Sequence, residues 1–301
     1  MSERAEAIAG VEDADLGGET VLVTGSTDGI GREMALALGR LGATVLVHGR
    51  DREKGRAVAD RIDSGGGEAL LFVAEFAAQD EVRDLAEAVA EHAPIDALVN
   101  NAGGFFSRPR LTPEGFEYAF GVNHLAPFLL TNLLRPALAD GARVVTTASG
   151  AHHGADGIDF DAVQTTEGYS AMGAYSRSKL ANVLFAAELA GRLDDATSYS
   201  FHPGFVPGSQ FSRELPAPVR WGMRAIDYLP DAVSGLFANS VVEGAATGVY
   251  LVATPSVAGE SGGYFQDCEP ATPSRVARDR DLQRRLWEHS AEWTGIDDGD
   301  A

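Results

Sequence analysis

Thr20-Val21-Leu22-Val23-Thr24 runs directly into Gly25-Ser26-Thr27-Asp28-Gly29-Ile30-Gly31, and this junction limits the possible folds more than any other stretch of the chain. The uninterrupted β-branched and apolar run predicts a buried strand. Residues 32–41 follow with Met34, Leu36, Leu38 and Leu41 at helical spacing. A glycine-rich turn between strand and helix offers φ freedom, close approach of backbone N–H groups to a pyrophosphate, and a helix dipole aimed at negative charge. The spacing is Gly-x-x-x-Gly-x-Gly, which departs from the general Gly-x-Gly-x-x-Gly pattern. A plain strand-to-helix turn is the alternative, and the clear strand and helix on either side favour a dinucleotide site.

The same alternation continues downstream. Strands are predicted over 44–48, 69–74, 95–99 and 142–147, and helices over 51–63, 79–92 and 114–139, the last interrupted in character at Asn123-His124. A helix over 243–253, a last strand over 263–266 and a C-terminal helix over 274–294 complete the chain. Strand and helix in turn predict a parallel sheet covered on both faces, an α/β fold of three layers. Residues 1–18 are acidic without apolar periodicity and are expected to form a flexible tail, as are the acidic residues 297–301. That leaves 19–296 as one domain.

The formal net charge of −20, from 44 acidic and 24 basic residues, opposes a nucleic-acid or anionic-membrane partner. All but two of the basic residues are arginine, the exceptions being Lys54 and Lys179. This acid-rich, lysine-poor composition suits a salt-adapted surface, where concentrated salt screens self-repulsion. Cys268 is the single cysteine, so no intrachain disulfide or thiolate metal cluster can form. Neither a secretory signal nor an apolar run of about 18 residues is visible, and a cytoplasmic protein without membrane insertion is expected.

Tyr175 and Lys179 lie four residues apart in a predicted helix and therefore share a face. A fixed positive charge near a phenol favours the phenolate, which would bring a pKa of about 10 toward the working range. An ammonium is also compact enough to approach a phenol and a sugar hydroxyl together. At the end of the second strand stands Gly49-Arg50-Asp51. An arginine there suits a ribose 2′-phosphate and a carboxylate suits a 2′-hydroxyl. Arg50, with Arg32 at the start of the first helix, points to NADP; Asp51 leaves NAD as the alternative.

Thr24-Gly25-x-x-x-Gly29-x-Gly31, Asn100-Asn101-Ala102-Gly103, Asn123, Ser149, Tyr175-x-x-x-Lys179 and Pro203-Gly204 stand in the order and approximate spacing of the short-chain dehydrogenase/reductase superfamily, which the chain resembles over roughly residues 18–270. Within it, Val122-Asn123-His124-Leu125, His202-Pro203-Gly204 and Gly263-Tyr264-Phe265 resemble the retinol-dehydrogenase-like branch, which also holds bacterial carbonyl reductases. The resemblance implies a doubly wound Rossmann-type sheet and an NADP(H)-dependent oxidoreductase interconverting a carbonyl and an alcohol. It implies a tetrad of Asn123, Ser149, Tyr175 and Lys179. Tyr175 would exchange the proton, Lys179 would lower its pKa and hold the nicotinamide ribose, Ser149 would polarise the substrate oxygen, and Asn123 would hold a water in a proton relay. Cofactor contacts are implied for Gly25 to Arg32 (through Ser26, Thr27, Asp28, Gly29, Ile30 and Gly31), for Arg50, Glu75 and Phe76, for Asn101, Ala102 and Gly103, and for Pro203, Gly204 and Val206.

Two departures are visible. Glu75 stands where the family usually has an aspartate, and Gly208 where it has a threonine, with Ser209 as a possible substitute. Tyr175 stands 26 positions after Ser149, and the loop over 151–173 is expected to line the pocket, with His152 and His153 as surface histidines and no metal. The segment 205–242 carries Phe211, Leu215, Trp221, Met223, Ile226, Tyr228, Leu229, Leu236 and Phe237. With Phe105 and Phe106 it would cover an apolar carbonyl or alcohol substrate, or pack against a second copy in a homo-oligomer. A cofactor-binding sensor without turnover and an NAD-dependent alcohol dehydrogenase are the rival readings.

Overall fold

Val21 and Val23 point to one face of a sheet and Leu22 to the other, and all three are fully buried. A strand of this kind needs a helical layer on each side, and the computed structural model supplies both. It describes residues 4–206, 239–257 and 259–297. Among these, eight strands form one sheet in the order β3-β2-β1-β4-β5-β6-β7-β8. The strands are β1 (Thr20–Val23), β2 (Thr44–Gly49), β3 (Glu68–Val73), β4 (Ile95–Asn100), β5 (Leu138–Thr147), β6 (Thr197–His202), β7 (Tyr264–Gln266) and β8 (Glu269–Ala271). All neighbours are parallel except β7 and β8. The strand order reverses between β1 and β4, and in such sheets ligands bind beyond the carboxyl ends of the strands at this point.

On one face lie α1 (Ala5–Ile8), α2 (Gly29–Arg40) and α3 (Arg52–Ser64), together with α8 (Val241–Ala253). The opposite face is covered by α4 (Gln79–Ala90), α6 (Ala126–Leu134), α7 (Ala171–Leu189) and α9 (Arg280–Thr294). The fold is the doubly wound, three-layer Rossmann type that the alternation predicts.

Three expectations change, and β6 adds a strand for which the sequence carries no prediction. The N-terminal stretch is not a loose tail over residues 5–16: Ala5, Ala9, Val11 and Leu16 are buried, and Arg40 donates to both carboxylate oxygens of Glu6 at 2.6 and 2.7 Å. Its four apolar anchors are too scattered for a periodicity to show. The helix predicted over 114–139 divides into α5 (Tyr118–Phe120), a wide π turn (Gly121–Leu125) and α6. Glu117 fixes the start by accepting from the N–H groups of Ala119 and Phe120, and the π turn presents Asn123 and His124 inward. β6 carries only Tyr199 and Phe201 among serines, a weak apolar signal, and its burial comes from neighbours on both sides. At the C-terminus the helix begins at Arg280 rather than at 274, because Asp279 caps it by accepting from Asp281 and Leu282 N–H. Gly208, Ser209 and the apolar residues predicted between Phe211 and Phe237 lie outside the described residues. No helix among the described residues is long and apolar enough to cross a membrane.

Candidate active site

The ends of β1, β4, β5 and β6 meet above the sheet, each contributing a loop to one pocket. From β1 come Gly25 and the start of α2, from β4 Asn101 to Gly104, from β5 Ser149 to Ala151, and from β6 His202 to Val206. The same pocket is lined by Met172, Tyr175 and Lys179 of α7.

Thr24 ties the first two loops together. Its hydroxyl donates to Val99 O at 3.1 Å and accepts from the N–H groups of Asn101 and Ala102 at 2.9 and 3.0 Å. Asn101 returns the link by donating from Nδ2 to Thr24 O at 2.9 Å. Gly25 and Gly29 have φ of +64° and +55°, a region where side chains are strained. A Cβ on Gly31 would stand 2.3 Å from Asn101 Nδ2 and 2.4 Å from Gly25 O, so only glycine allows the turn to close on the β4 loop. Beside Gly29 a Cβ would meet nothing within 4 Å, which leaves open space against the N-terminus of α2. This cradle fits a pyrophosphate. Ser26 takes no part in lining it: its buried hydroxyl donates to His48 O and accepts from His48 N–H beneath the turn.

A second pocket continues from the turn past β2 and β3, lined by Thr27, Asp28, Arg50, Lys54, Glu75 and Phe76 among others. His48 forms its floor, stacked on Phe76 at 4.6 Å between ring centroids. Burial pushes the His48 pKa down to about 4. The neutral ring accepts from Gly25 N–H through Nδ1 at 3.3 Å, with Nε2 facing Ala74 O at 3.3 Å. Asp51 also lines this pocket, and its Oδ1 caps α3 by accepting from Glu53 and Lys54 N–H at 3.1 Å each. Arg50 pairs with Glu75 at 3.3 Å, and Lys54 with Asp28 at 3.2 Å. Arg32 lines neither pocket but an adjoining groove with Thr27, Asp28, Lys54 and Arg61, and its guanidinium lies 3.7 Å from the Glu33 carboxylate. Lys54, His48 and Thr24 were not singled out from the sequence as cofactor contacts, although Lys54 carried the same signal of rarity as Lys179.

On α7, Tyr175, Ser178, Lys179 and Asn182 are buried along one face. Lys179 Nζ donates to Thr147 O at 2.9 Å, and Asn182 Nδ2 to the same oxygen at 3.1 Å. That leaves further N–H groups of the ammonium for a ligand in the pocket it lines. The edge of Phe105 packs on the Tyr175 ring at 5.8 Å. Burial raises the phenol's pKa, and the Ser149 side chain beside it offsets this only in part. Burial also pushes Lys179 down to about 8. The ammonium lies 5.9 Å from the centre of the Tyr175 ring. The expectation that Lys179 lowers the phenol's pKa is not met: burial is the largest influence and raises it, and the partial offset comes from Ser149 rather than from Lys179.

Asn123 also differs from expectation. Its amide donates to Gly104 O at 3.0 Å and Ser178 Oγ at 2.9 Å and accepts from Gly104 N–H at 2.8 Å. The side chain is a strut between the β4 loop and α7, with both N–H groups used by protein rather than by a relay water. His152 is no surface histidine: it is wholly buried behind Ser149.

A family model for short chain dehydrogenases matches residues 19–217. The chain is 37% identical over 299 residues to retinol dehydrogenase 14 of Homo sapiens, covering 93% of this chain and 87% of that one. To DnrU of Streptomyces sp. (strain C5), described as a daunorubicin C-13 ketoreductase, it is 38% identical over 289 residues, covering 95% and 96%. Among solved structures, a Mycobacterium paratuberculosis protein of uncharacterized function superposes with a TM-score of 0.75 at 30% identity over 98% of each chain. The landomycin C-6 ketoreductase LanV, solved with NADP and rabelomycin, does so with a TM-score of 0.65 at 25% identity, covering 84% of this chain and 96% of that one. The chain belongs to the short-chain dehydrogenase/reductase superfamily of oxidoreductases, in its retinol-dehydrogenase-like branch.

Proposed function

We propose that this protein is an NADP(H)-dependent oxidoreductase that interconverts a ketone or aldehyde with its alcohol, with Tyr175 as the general acid and base. The observation that carries the reading is the meeting of Ser149, Tyr175 and Lys179 with the Gly25–Gly31 turn in one pocket. A nicotinamide cofactor held there supplies the hydride. Tyr175 and Ser149, which line the same pocket, present two hydroxyls toward one substrate oxygen. Burial keeps the phenol protonated at neutral pH, the form that donates to a carbonyl oxygen as it gains charge. Lys179 offers its remaining N–H groups to the ribose, and Thr147 O fixes where they point. Met172 and Phe205 border the space left for substrate, which suits an apolar carbonyl. The ketoreductases among the relatives support that class of substrate.

The preference for NADP rests on Arg50 and Lys54. Both are at least half exposed, and each is paired with a carboxylate, Glu75 or Asp28. Exposed pairs of this kind contribute about 0–1 kcal/mol, so a 2′-phosphate can displace them with stronger charge-assisted hydrogen bonds. Asp51, in the same pocket, spends one carboxylate oxygen on capping α3, which supports a smaller part for it at the ribose than for Arg50.

NADPH oxidation over a panel of ketones and aldehydes tests the activity, and Arg50→Ala tests the cofactor. The variant is expected to weaken NADPH by about tenfold or more, equivalent to about 1.4 kcal/mol, and to leave NADH within about twofold. Equal losses for both cofactors would remove the phosphate assignment. Wild-type protein that binds NADPH and turns over no carbonyl would favour the sensor reading.

A further inference from the structure

Ser149 stands two residues beyond the end of β5, and the residue that holds its main chain is His152. The Ser149 carbonyl accepts from His152 N–H at 3.1 Å and again from the imidazole Nδ1 at 2.7 Å. The opposite ring nitrogen, Nε2, accepts from Ser274 N–H at 3.1 Å, across 122 residues of sequence. A main-chain N–H can only donate, so Nε2 is bare and the ring is neutral with its hydrogen on Nδ1. The ring has no solvent exposure and is wedged edge-on against Tyr264 of β7 at 5.0 Å, with the His153 ring at 4.0 Å. Burial holds the imidazole's pKa below the ordinary histidine value, which keeps this tautomer in place at neutral pH.

The short turn over Gly150–Gly154 does not itself require the ring. The main-chain hydrogen bond from His152 to Ser149 already closes it, and Ser149 Oγ caps it by accepting from Ala151 N–H at 3.2 Å. What the imidazole adds is a second donor at the Ser149 carbonyl, referenced to β7 and to the segment that leads into α9. The Ser149 hydroxyl therefore inherits its direction from two elements outside its own loop.

We infer that His152 is a positioning residue for the reaction: it fixes the Ser149 main chain, and with it the hydroxyl beside Tyr175, through the second hydrogen bond that Nδ1–H donates to the Ser149 carbonyl, the tautomer for which is set by Ser274 N–H. The inference rests on the proposed role of Ser149 in holding the substrate oxygen. Misplacing such a group by a fraction of an ångström impairs the reacting geometry while leaving cofactor binding intact.

Three variants separate the two bonds. His152→Asn puts an amide N–H near the place of Nδ1 and keeps the donor to Ser149 O. His152→Gln carries its amide at the ε position, where it can accept from Ser274 but does not reach Ser149 O. His152→Phe keeps a ring and loses both bonds.

With NADPH and the best carbonyl of the panel, the Gln and Phe variants are expected to lose about tenfold or more in kcat with NADPH affinity within about twofold, and the Asn variant to stay within about threefold of wild type. Equal kcat for the Asn and Gln variants, whether high or low, would overturn the inference. Should the variants fail to fold, ¹⁵N shifts of the wild-type ring decide: hydrogen on Nδ1 is expected, and hydrogen on Nε2 overturns it. Tyr175→Phe and Ser149→Ala run alongside keep the two levels apart. If these retain activity, the functional reading itself fails. If they are inert while the Asn and Gln variants match, the inference about His152 fails alone.

Discussion

Tyr175→Phe is expected to lower turnover by about 10²–10⁴-fold while NADPH binds as in wild type, the range lost when a positioned general acid is removed. The substitution deletes one oxygen from a ring that is 8% exposed. The ring keeps its packing against Phe105, and losing one hydroxyl costs about 1 kcal/mol in stability. A small shift in melting temperature with a large loss in kcat thus separates chemistry from folding. Lys179 remains held by Thr147 O in the variant, so the cofactor side of the pocket is not disturbed. Steady-state kinetics and a fluorescence titration with NADPH measure the two quantities separately. Near wild-type turnover would leave the mechanism without its proton donor.

The second large effect is expected from Gly31→Ala. The added Cβ would lie 2.3 Å from Asn101 Nδ2 and 2.4 Å from the Gly25 carbonyl oxygen. The amide could rotate away only by giving up its bonds to Thr24 O and Gly25 O, which join the β1 and β4 loops. The carbonyl is backbone and can move only with the whole turn. Either response opens the cradle against the N-terminus of α2. NADPH affinity should fall by about 100-fold, close to 3 kcal/mol, and overpacking should cost a further 1–3 kcal/mol or so in stability. Gly29→Ala is the comparison, since a Cβ there meets no protein atom within 4 Å and its strain is confined to a φ of +55°. Wild-type NADPH affinity in Gly31→Ala would show that the turn is not the cofactor cradle.

Much of this arrangement was legible in the residues. β1 declares itself because it is buried on both faces and therefore continuously apolar, and Gly31 is where it is because two loops close on it. Tyr175 and Lys179 share a face through helical spacing alone. Polar partnerships across long sequence separations were not legible. Nothing local to Asn123 says that its amide spans Gly104 and Ser178, and nothing local to His152 says that Ser274 faces it. Two adjacent histidines in a long loop look like surface residues until β7 and the segment before α9 close over one of them. The influence of Lys179 on Tyr175 was misjudged for a related reason: spacing gives proximity, whereas burial sets how strongly each group resists its charge. The N-terminal residues were misread as a tail because four separated apolar contacts and one bidentate ion pair leave no periodic trace.

The central claim is that this pocket moves a hydride between NADP(H) and a carbonyl carbon beside Tyr175. NADPH carrying deuterium at the transferable C4 position, incubated with a ketone from the panel, tests it in one step. The expected product is the alcohol with one deuterium on the carbinol carbon per NADPH consumed, formed by wild type and not by Tyr175→Phe. Alcohol without deuterium at that carbon, or NADPH bound with no alcohol formed from any ketone, would contradict it.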